Sequence, residues 1–320
     1  MSPAAAGAAA NPRRLLLVHA HPDDESITTG ATIARYVAEG AAVTVVTCTL
    51  GEEGEVLVPR LAQLSAGQAD QLGGHRLHEM AAAMRALGVS DHRWLGGAGR
   101  FRDSGMAGQA ANGHPRAFWR AADDPAVFAE AVGHLVRIIR QVRPHAVVTY
   151  DPNGGYGHPD HVMAHRVTTA ALASAARPAE VGAGSPGAGA RVPAEGSAAW
   201  SAARLYWIVA SRSAVAEELA QAARHAPADL RRVGADELPT VPDAEVTTVV
   251  DARDHLDAQA AALGAHATQV VVRGRCYALS NGIARYLTGL ERYRRVLGER
   301  LGAVRADGLE DGLFPDAGTP

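Results

Sequence analysis

Leu15-Leu16-Leu17-Val18-His19-Ala20, running straight into His21-Pro22-Asp23-Asp24-Glu25, decides the fold of this chain. A short, nearly continuous apolar run is what a strand covered on both faces of a parallel sheet requires. Apolar residues at helical spacing follow, with Ile33, Tyr36 and Val37 in a predicted helix over 28–39 that stops at Gly40. Residues 43–49 are β-branched and read as the next strand. Strand, helix and parallel strand make a βαβ unit.

The same alternation continues outward. Helices are predicted over 66–87 and 126–142, and strands over 92–95 and 146–150. Such alternation gives an α/β fold with a Rossmann-like, doubly wound, mainly parallel sheet. Strands over 205–209 and 246–250 and helices over 252–266 and 277–302 are expected to form a smaller C-terminal α/β portion that closes the site. The organisation read from this is a disordered tail over 1–12, a Rossmann-like metal-binding catalytic domain over 13–176 and a C-terminal subdomain over 201–305. An Ala-, Gly- and Pro-rich flexible loop over 177–200 separates the two, and an acidic, glycine-containing tail over 306–320 is expected to fray.

Composition removes several classes of function. With 47% hydrophobic residues among 320, the chain can bury a full core. A net charge of −3 offers no broad basic surface for nucleic acid, so the partner is read as a small molecule. All 31 basic residues are Arg. A Walker-type phosphate loop, a pyridoxal enzyme and a Schiff-base aldolase each need a Lys, and none is present. Cys48 and Cys276 are too few for a disulfide framework or a thiolate zinc site, which suggests a reducing cytoplasm. Arg13-Arg14-Leu15-Leu16-Leu17 has the look of a twin-Arg signal, yet Asp23, Asp24 and Glu25 arrive before an apolar core can form. No apolar run approaches the ~18 residues of a membrane helix.

Two short strings carry the chemistry, His21-Pro22-Asp23-Asp24 and His158-Pro159-Asp160-His161. Each lies just past the carboxyl end of a predicted strand, where open α/β sheets bind their ligands. A dinucleotide turn would need glycines there, whereas Asp23, Asp24 and Glu25 repel a pyrophosphate and attract a cation. One acidic string alone could be a helix N-terminus, and one His string a capped turn. Together they read as the halves of one metal site. Zinc takes His nitrogen and Asp oxygen, and catalytic sites use three protein ligands. His21, Asp24 and His161 supply that set, leaving Asp23 as general base for the attacking water. His158 stands free to polarise the scissile carbonyl or protonate the leaving amine. Asp160 either orients His158 and raises its pKa, or supports a metal ligand from behind. Tyr156, after Gly154 and Gly155, either swings its hydroxyl toward the oxyanion or packs beneath the loop.

With these motifs in hand, a family resemblance is plain. Ala20-His21-Pro22-Asp23-Asp24-Glu25 with the later His-Pro-Asp-His is similar to the LmbE/PIG-L family of zinc-dependent N-acetylglucosaminyl deacetylases. The likeness is fuller to that family's mycothiol-pathway branch, which acts on N-acetylglucosaminyl-inositol (GlcNAc-Ins). It rests on 18–29, Thr47-Cys48-Thr49-Leu50-Gly51-Glu52-Glu53-Gly54-Glu55, Leu95-Gly96-Gly97-Ala98-Gly99-Arg100, Arg102-Asp103-Ser104-Gly105-Met106 and 149–161, and returns at Ala265-His266-Ala267-Thr268-Gln269 and Leu279-Ser280-Asn281. The resemblance implies Zn2+ on His21, Asp24 and His161 and Asp23 as base. It also implies His158 as acid or electrophile assisted by Asp160, and Tyr156 at the oxyanion. Arg76 and Asp103 would then grip sugar and inositol hydroxyls, as a charged donor and acceptor can. His266 receives no role from it.

Three rival readings share parts of this pattern. A mycothiol S-conjugate amidase would use the same metal core with a different pocket. A sugar-binding protein of the same fold could dispense with its base, yet Asp23 and His158 are both present. A metal phosphoesterase generally wants two metals, and these strings hold ligands for one. A His/His/Asp set also suits Fe2+.

Overall fold

The computed structural model describes residues 12–178 and 198–315. The opening run forms β1 (Arg14–His19), and a short α1 (Asp24–Thr28) leads into α2 (Gly30–Ala38) and β2 (Ala42–Thr47). Next come α3 (Leu72–Leu87), β3 (Asp91–Trp94), α4 (Pro125–Val142) and β4 (Ala146–Tyr150). A glycine-rich turn, α5 (Gly154–Gly157), precedes α6 (Pro159–Ala175). The C-terminal part supplies β5 (Arg204–Ile208), α7 (Arg212–His225), β6 (Thr248–Asp251), α8 (Leu256–Ala265), β7 (Val271–Arg273), β8 (Cys276–Ala278), β9 (Arg285–Tyr286), β10 (Leu290–Leu297) and β11 (Glu310–Asp311).

The main sheet has the order β11-β6-β10-β5-β4-β1-β2-β3, and β7, β8 and β9 form a small antiparallel sheet. β1 pairs in parallel with β2 on one side and β4 on the other. The chain winds outward from β1 to β3, then returns across β1 to place β4 on its far side. That reversal opens a crevice at the carboxyl ends of β1 and β4, where both His strings emerge. The side chains of β1 alternate between two cores. Leu15 and Leu17 pack with Ile33, Tyr36, Met80 and Met84, while Leu16 and Val18 pack with Leu135, Ile139 and Val167 on the opposite face. Covering both faces explains the unbroken apolar run.

Several elements differ from the sequence reading. The helix expected over 28–39 breaks at Thr29, giving α1 and α2. The helix expected from residue 66 starts at Leu72, because Gly67 lies in a turn and Asp70 takes a left-handed φ of 53°. The helix expected over 277–302 is three strands, β8, β9 and β10. Leu, Glu and Arg favour helix in isolation, but Gly282 and Gly289 at φ 68° and 70° turn the chain. β10 is then captured antiparallel between β5 and β6, with Tyr293 fully buried. α7 was not among the expected elements, although Ser211 and the Ala-, Glu- and Leu-rich run behind it favour a helix.

The C-terminal strands β5, β10, β6 and β11 extend the same main sheet beyond β4, so 13–176 and 201–305 share one sheet. Nor does the described part of 306–320 fray. Glu310–Asp311 pairs with β6, Glu310 accepts from Thr248 Oγ1 at 2.7 Å, and Leu313 and Phe314 are buried. The tail over 1–11, residues 179–197 of the expected loop and residues 316–320 lie outside the described residues.

Candidate metal centre and active site

The turn after β1 folds acidic side chains inward. His21 N–H donates to Asp24 Oδ2 at 2.9 Å, which brings the two residues face to face, with Nδ1 of His21 3.3 Å from the same oxygen. Asp23 sits at φ 95°, a conformation that L-residues adopt at a cost and that clusters at functional sites. From the other motif, His161 Nε2 reaches Asp24 Oδ2 at 3.3 Å. Thus Asp24 Oδ2 is the meeting point of His21 and His161, brought together from the carboxyl ends of β1 and β4.

The protonation pattern shows what this meeting point is for. His161 Nδ1 lies 3.2 Å from the Gly154 carbonyl, which can only accept, so Nδ1 carries the proton. In the neutral ring that leaves Nε2 as a lone pair, buried and without a hydrogen-bond partner, facing a carboxylate. Two electron-rich atoms held together in a dry site are the donor set of a cation. His21, His158 and His161 also bring possible ligand atoms within 4.8 Å of one another, as do His21, Asp103 and Asp160. The residues present therefore fit a metal ion, with His21 common to every set.

Asp160 stands behind His21. Its Oδ2 lies 3.3 Å from His21 Nε2 and accepts from Ser104 N–H at 2.8 Å, while Ser104 Oγ donates to Oδ1. That contact fixes the His21 tautomer so that Nδ1 faces Asp24. Of the two partners open to Asp160, it is the His21 ring that its carboxylate lies against. The pairing of its carboxylate with the His158 ring does not occur. Instead His158 caps α6, its Nδ1 accepting from the Asp160 backbone N–H at 3.2 Å. Burial presses the His158 pKa down to about 3 rather than up. A neutral ring bearing its proton on Nε2 is the form this favours.

The remaining predicted residues surround this core. Arg76 is 2% exposed, and its guanidinium donates to Gly51 O at 2.8 Å, to Asp23 Oδ2 at 3.0 Å and to Pro22 O. In this structure it holds Asp23 from the protein side. Burial pushes the Asp23 carboxyl up to about 6, against the opposing charge of Arg76. Asp103 Oδ1 lies 3.5 Å from His21 Nε2 and accepts from Gly105 N–H, and its Oδ2 accepts from Glu53 N–H. Tyr156 is 53% exposed, its ring 5.0 Å from that of His161 and 6.1 Å from that of His158. It lies at the edge of the site rather than beneath the loop.

Sequence reading missed three supports. Tyr150 stacks on His161 and hydrogen-bonds Asp24, and its only signal was a polar aromatic ending a buried strand. Ser104 was quoted within a motif without a role. Glu25 and His266, both fully buried, pair at 2.9 Å across 241 residues of chain.

Comparison with known proteins agrees with this geometry. Residues 16–172 match the family described as PIG-L: GlcNAc-PI de-N-acetylase. A Geodermatophilus obscurus protein named 1D-myo-inositol 2-acetamido-2-deoxy-alpha-D-glucopyranoside deacetylase is 54% identical over 313 residues, covering 96% of this chain and 98% of that one. Among solved structures, the N,N'-diacetylchitobiose deacetylase of Pyrococcus horikoshii superposes with a TM-score of 0.51 at 17% identity, over 90% of this chain and 85% of its own. GalB, the 4-carboxy-2-hydroxymuconate hydratase of Pseudomonas putida, gives 0.53 at 18% identity, over 92% and 100%. A deacetylase and a hydratase on one architecture show that these likenesses speak for the fold alone. The family rests on sequence, and on the strength of half its residues shared along almost the whole length of such a relative, the chain belongs to the PIG-L family of de-N-acetylases, also called LmbE.

Proposed function

We propose that this protein hydrolyses the acetamide of 1D-myo-inosityl 2-acetamido-2-deoxy-alpha-D-glucopyranoside, GlcNAc-Ins, releasing acetate and the free glucosaminyl-inositol for mycothiol biosynthesis. The observation that carries the reading is the 54% identity, over 96% of the chain, to a deacetylase named for that substrate. We assign Zn2+ to His21, Asp24 and His161, a set that would also take Fe2+. A divalent ion in such a site acidifies water and polarises a carbonyl oxygen.

The chain's own residues divide the remaining work. Asp23, raised by burial and steadied by Arg76, takes the proton of the attacking water. His158 presents its Nε2–H, and Tyr156 its hydroxyl, to the negative charge that grows on the carbonyl oxygen. The nitrogen needs a proton as the C–N bond breaks, and Asp23, which has taken one from the attacking water, is assigned to supply it, while His158, neutral in this setting, keeps its Nε2–H on the oxyanion rather than acting as the acid. Asp160 keeps His21 in its ligating tautomer. Asp103 is assigned to substrate hydroxyls. Arg76 is assigned to them as well, through the same guanidinium that holds Asp23.

Among the described residues no helix is long and apolar enough to cross a membrane. Both cysteines are buried and free, in keeping with a reducing cytoplasm as the place of action. The test is amine release from GlcNAc-Ins and from a mycothiol S-conjugate, each with and without chelator and added zinc. Chelator-sensitive turnover favouring GlcNAc-Ins is expected. Preference for the conjugate would move the protein to the amidase reading, and no turnover of either would leave a metal-binding protein without this substrate.

A further inference from the structure

His266 and Glu25 are each 0% exposed, and the mechanism above uses neither. Glu25 works as a bracket with two ends. Its Oε1 lies 2.9 Å from His266 Nε2 and accepts from Ser26 Oγ, and its Oε2 accepts the Asp23 backbone N–H at 3.0 Å. Asp23 is the residue held at φ 95° and ψ −33°, a backbone state that persists only where surrounding contacts over-determine it. A shift of that backbone would carry the Asp23 carboxylate with it.

The far end of the bracket is itself rigid. His266 ends α8 in a turn whose carbonyl accepts from Gln269 and Val270 N–H, both at 2.9 Å. Two residues on, Thr268 is gripped by Glu79 of α3, which accepts from its N–H at 2.8 Å and its hydroxyl at 2.7 Å. The Thr268 carbonyl in turn accepts from Leu57 N–H. The C-terminal segment thus delivers a fixed imidazole to the back of the first motif.

We infer that His266 is a positioning residue for the base: through Glu25 it holds the strained backbone of Asp23, and so the carboxylate, in register with the substrate carbonyl. This rests on Asp23 being the base. The C-terminal half of the chain is then part of the catalytic apparatus without touching substrate, since a misplaced catalytic group loses rate steeply with small displacements.

The experiment compares His266→Gln and His266→Leu in the zinc-loaded full-length chain, reading kcat, KM, zinc stoichiometry and thermal midpoint. Gln keeps an N–H within reach of Glu25, whereas Leu fills the space without one. Expected is a kcat loss of about tenfold or more in His266→Leu, in the range seen for supports behind a reactive group, with KM and zinc content unchanged, and recovery in His266→Gln. Equal losses in both variants, a loss confined to KM, or loss of zinc would overturn it, as would unchanged kcat in His266→Leu. Should His266→Leu fail to fold, His266→Asn makes the same comparison, its shorter amide falling short of Glu25. Asp23→Ala run alongside separates the two ideas: near-normal turnover there removes the base itself, whereas a dead Asp23→Ala with a normal His266→Leu removes only this inference.

Discussion

Tyr150 lies flat against His161, ring centroids 4.2 Å apart and planes inclined by 22°, while its hydroxyl donates to Asp24 Oδ2 at 2.7 Å. One side chain at the end of β4 thereby braces a proposed ligand from each motif. The Ala20 N–H donates to the same hydroxyl at 3.0 Å, so its proton is committed to Asp24. Tyr150→Phe keeps the stack and removes that charge-assisted bond. Outer partners of this kind are worth about 10- to 100-fold in metal affinity. Competitive zinc titration should show a weakening of that order, and an affinity within twofold of the parent would mean that Asp24 needs no such brace.

Two possible ligand sets share His21 and His161 and differ in whether Asp24 or His158 completes them. Metal content decides between them. Asp24→Ala and His161→Ala should lose zinc and activity together, while His158→Ala and Asp23→Ala should keep stoichiometric zinc. Turnover in the last two should fall by about 10²- to 10⁴-fold, the usual worth of a positioned acid or base. Zinc loss in His158→Ala with retention in Asp24→Ala would exchange their roles.

The turn that carries Tyr156 has little freedom at one residue. Gly154 sits at φ 65°, and a Cβ there would lie 2.6 Å from His161 Cβ and 2.8 Å from Val162 N. Gly154→Ala therefore strains the backbone by roughly 1–2 kcal/mol and pushes against the residue that its own carbonyl orients. We expect a lowered thermal midpoint and weaker zinc binding together. Gly155 also has a positive φ, of 74°, but no neighbour within 4 Å, so Gly155→Ala should cost stability and spare the metal. Equal zinc affinity in both variants would refute the distinction.

How much of this was legible beforehand follows from the range of the interactions involved. β1 announced itself because both its faces are covered, and both His strings could be placed because a doubly wound sheet offers one crevice. Roles that depend on direction were not legible. Asp160 is one residue from His161 and two from His158, yet its carboxylate turns to His21 and Ser104, a choice made by α6 and the 103–105 turn together. Arg76 has the chemistry to hold a polyol, but the close approach of Gly51 draws its guanidinium onto Asp23. β10 was misread because its residues favour helix locally, and only pairing with β5 and β6 overrides that preference. His266 was noticed and left without a role, since its partner lies 241 residues away.

That same β10 supplies an interaction no local motif encodes. α2 has no side-chain cap of its own at Thr29, and Glu291 takes its place. Glu291 Oε1 accepts from Ala31 N–H at 3.0 Å and Oε2 from Thr32 N–H at 2.8 Å, so one carboxylate satisfies two free amides at the positive end of the helix. Gln259 Nε2 and Tyr293 Oη also donate to it, tying α8 and β10 to the same point. Loss of a helix cap costs about 0.5–2 kcal/mol, and removal of the carboxylate leaves two amides without their acceptor, while Gln259 keeps its bond to Ser26 O and Tyr293 its contact with Thr32 Oγ1. Glu291→Ala should therefore lie at or above the top of that range in chemical denaturation, with zinc stoichiometry unchanged because no proposed ligand is touched. Glu291→Gln keeps one acceptor oxygen and should fall between Glu291→Ala and the parent. A Glu291→Ala protein as stable as the parent would show that α2 is held by its packing against α3 and α8 alone.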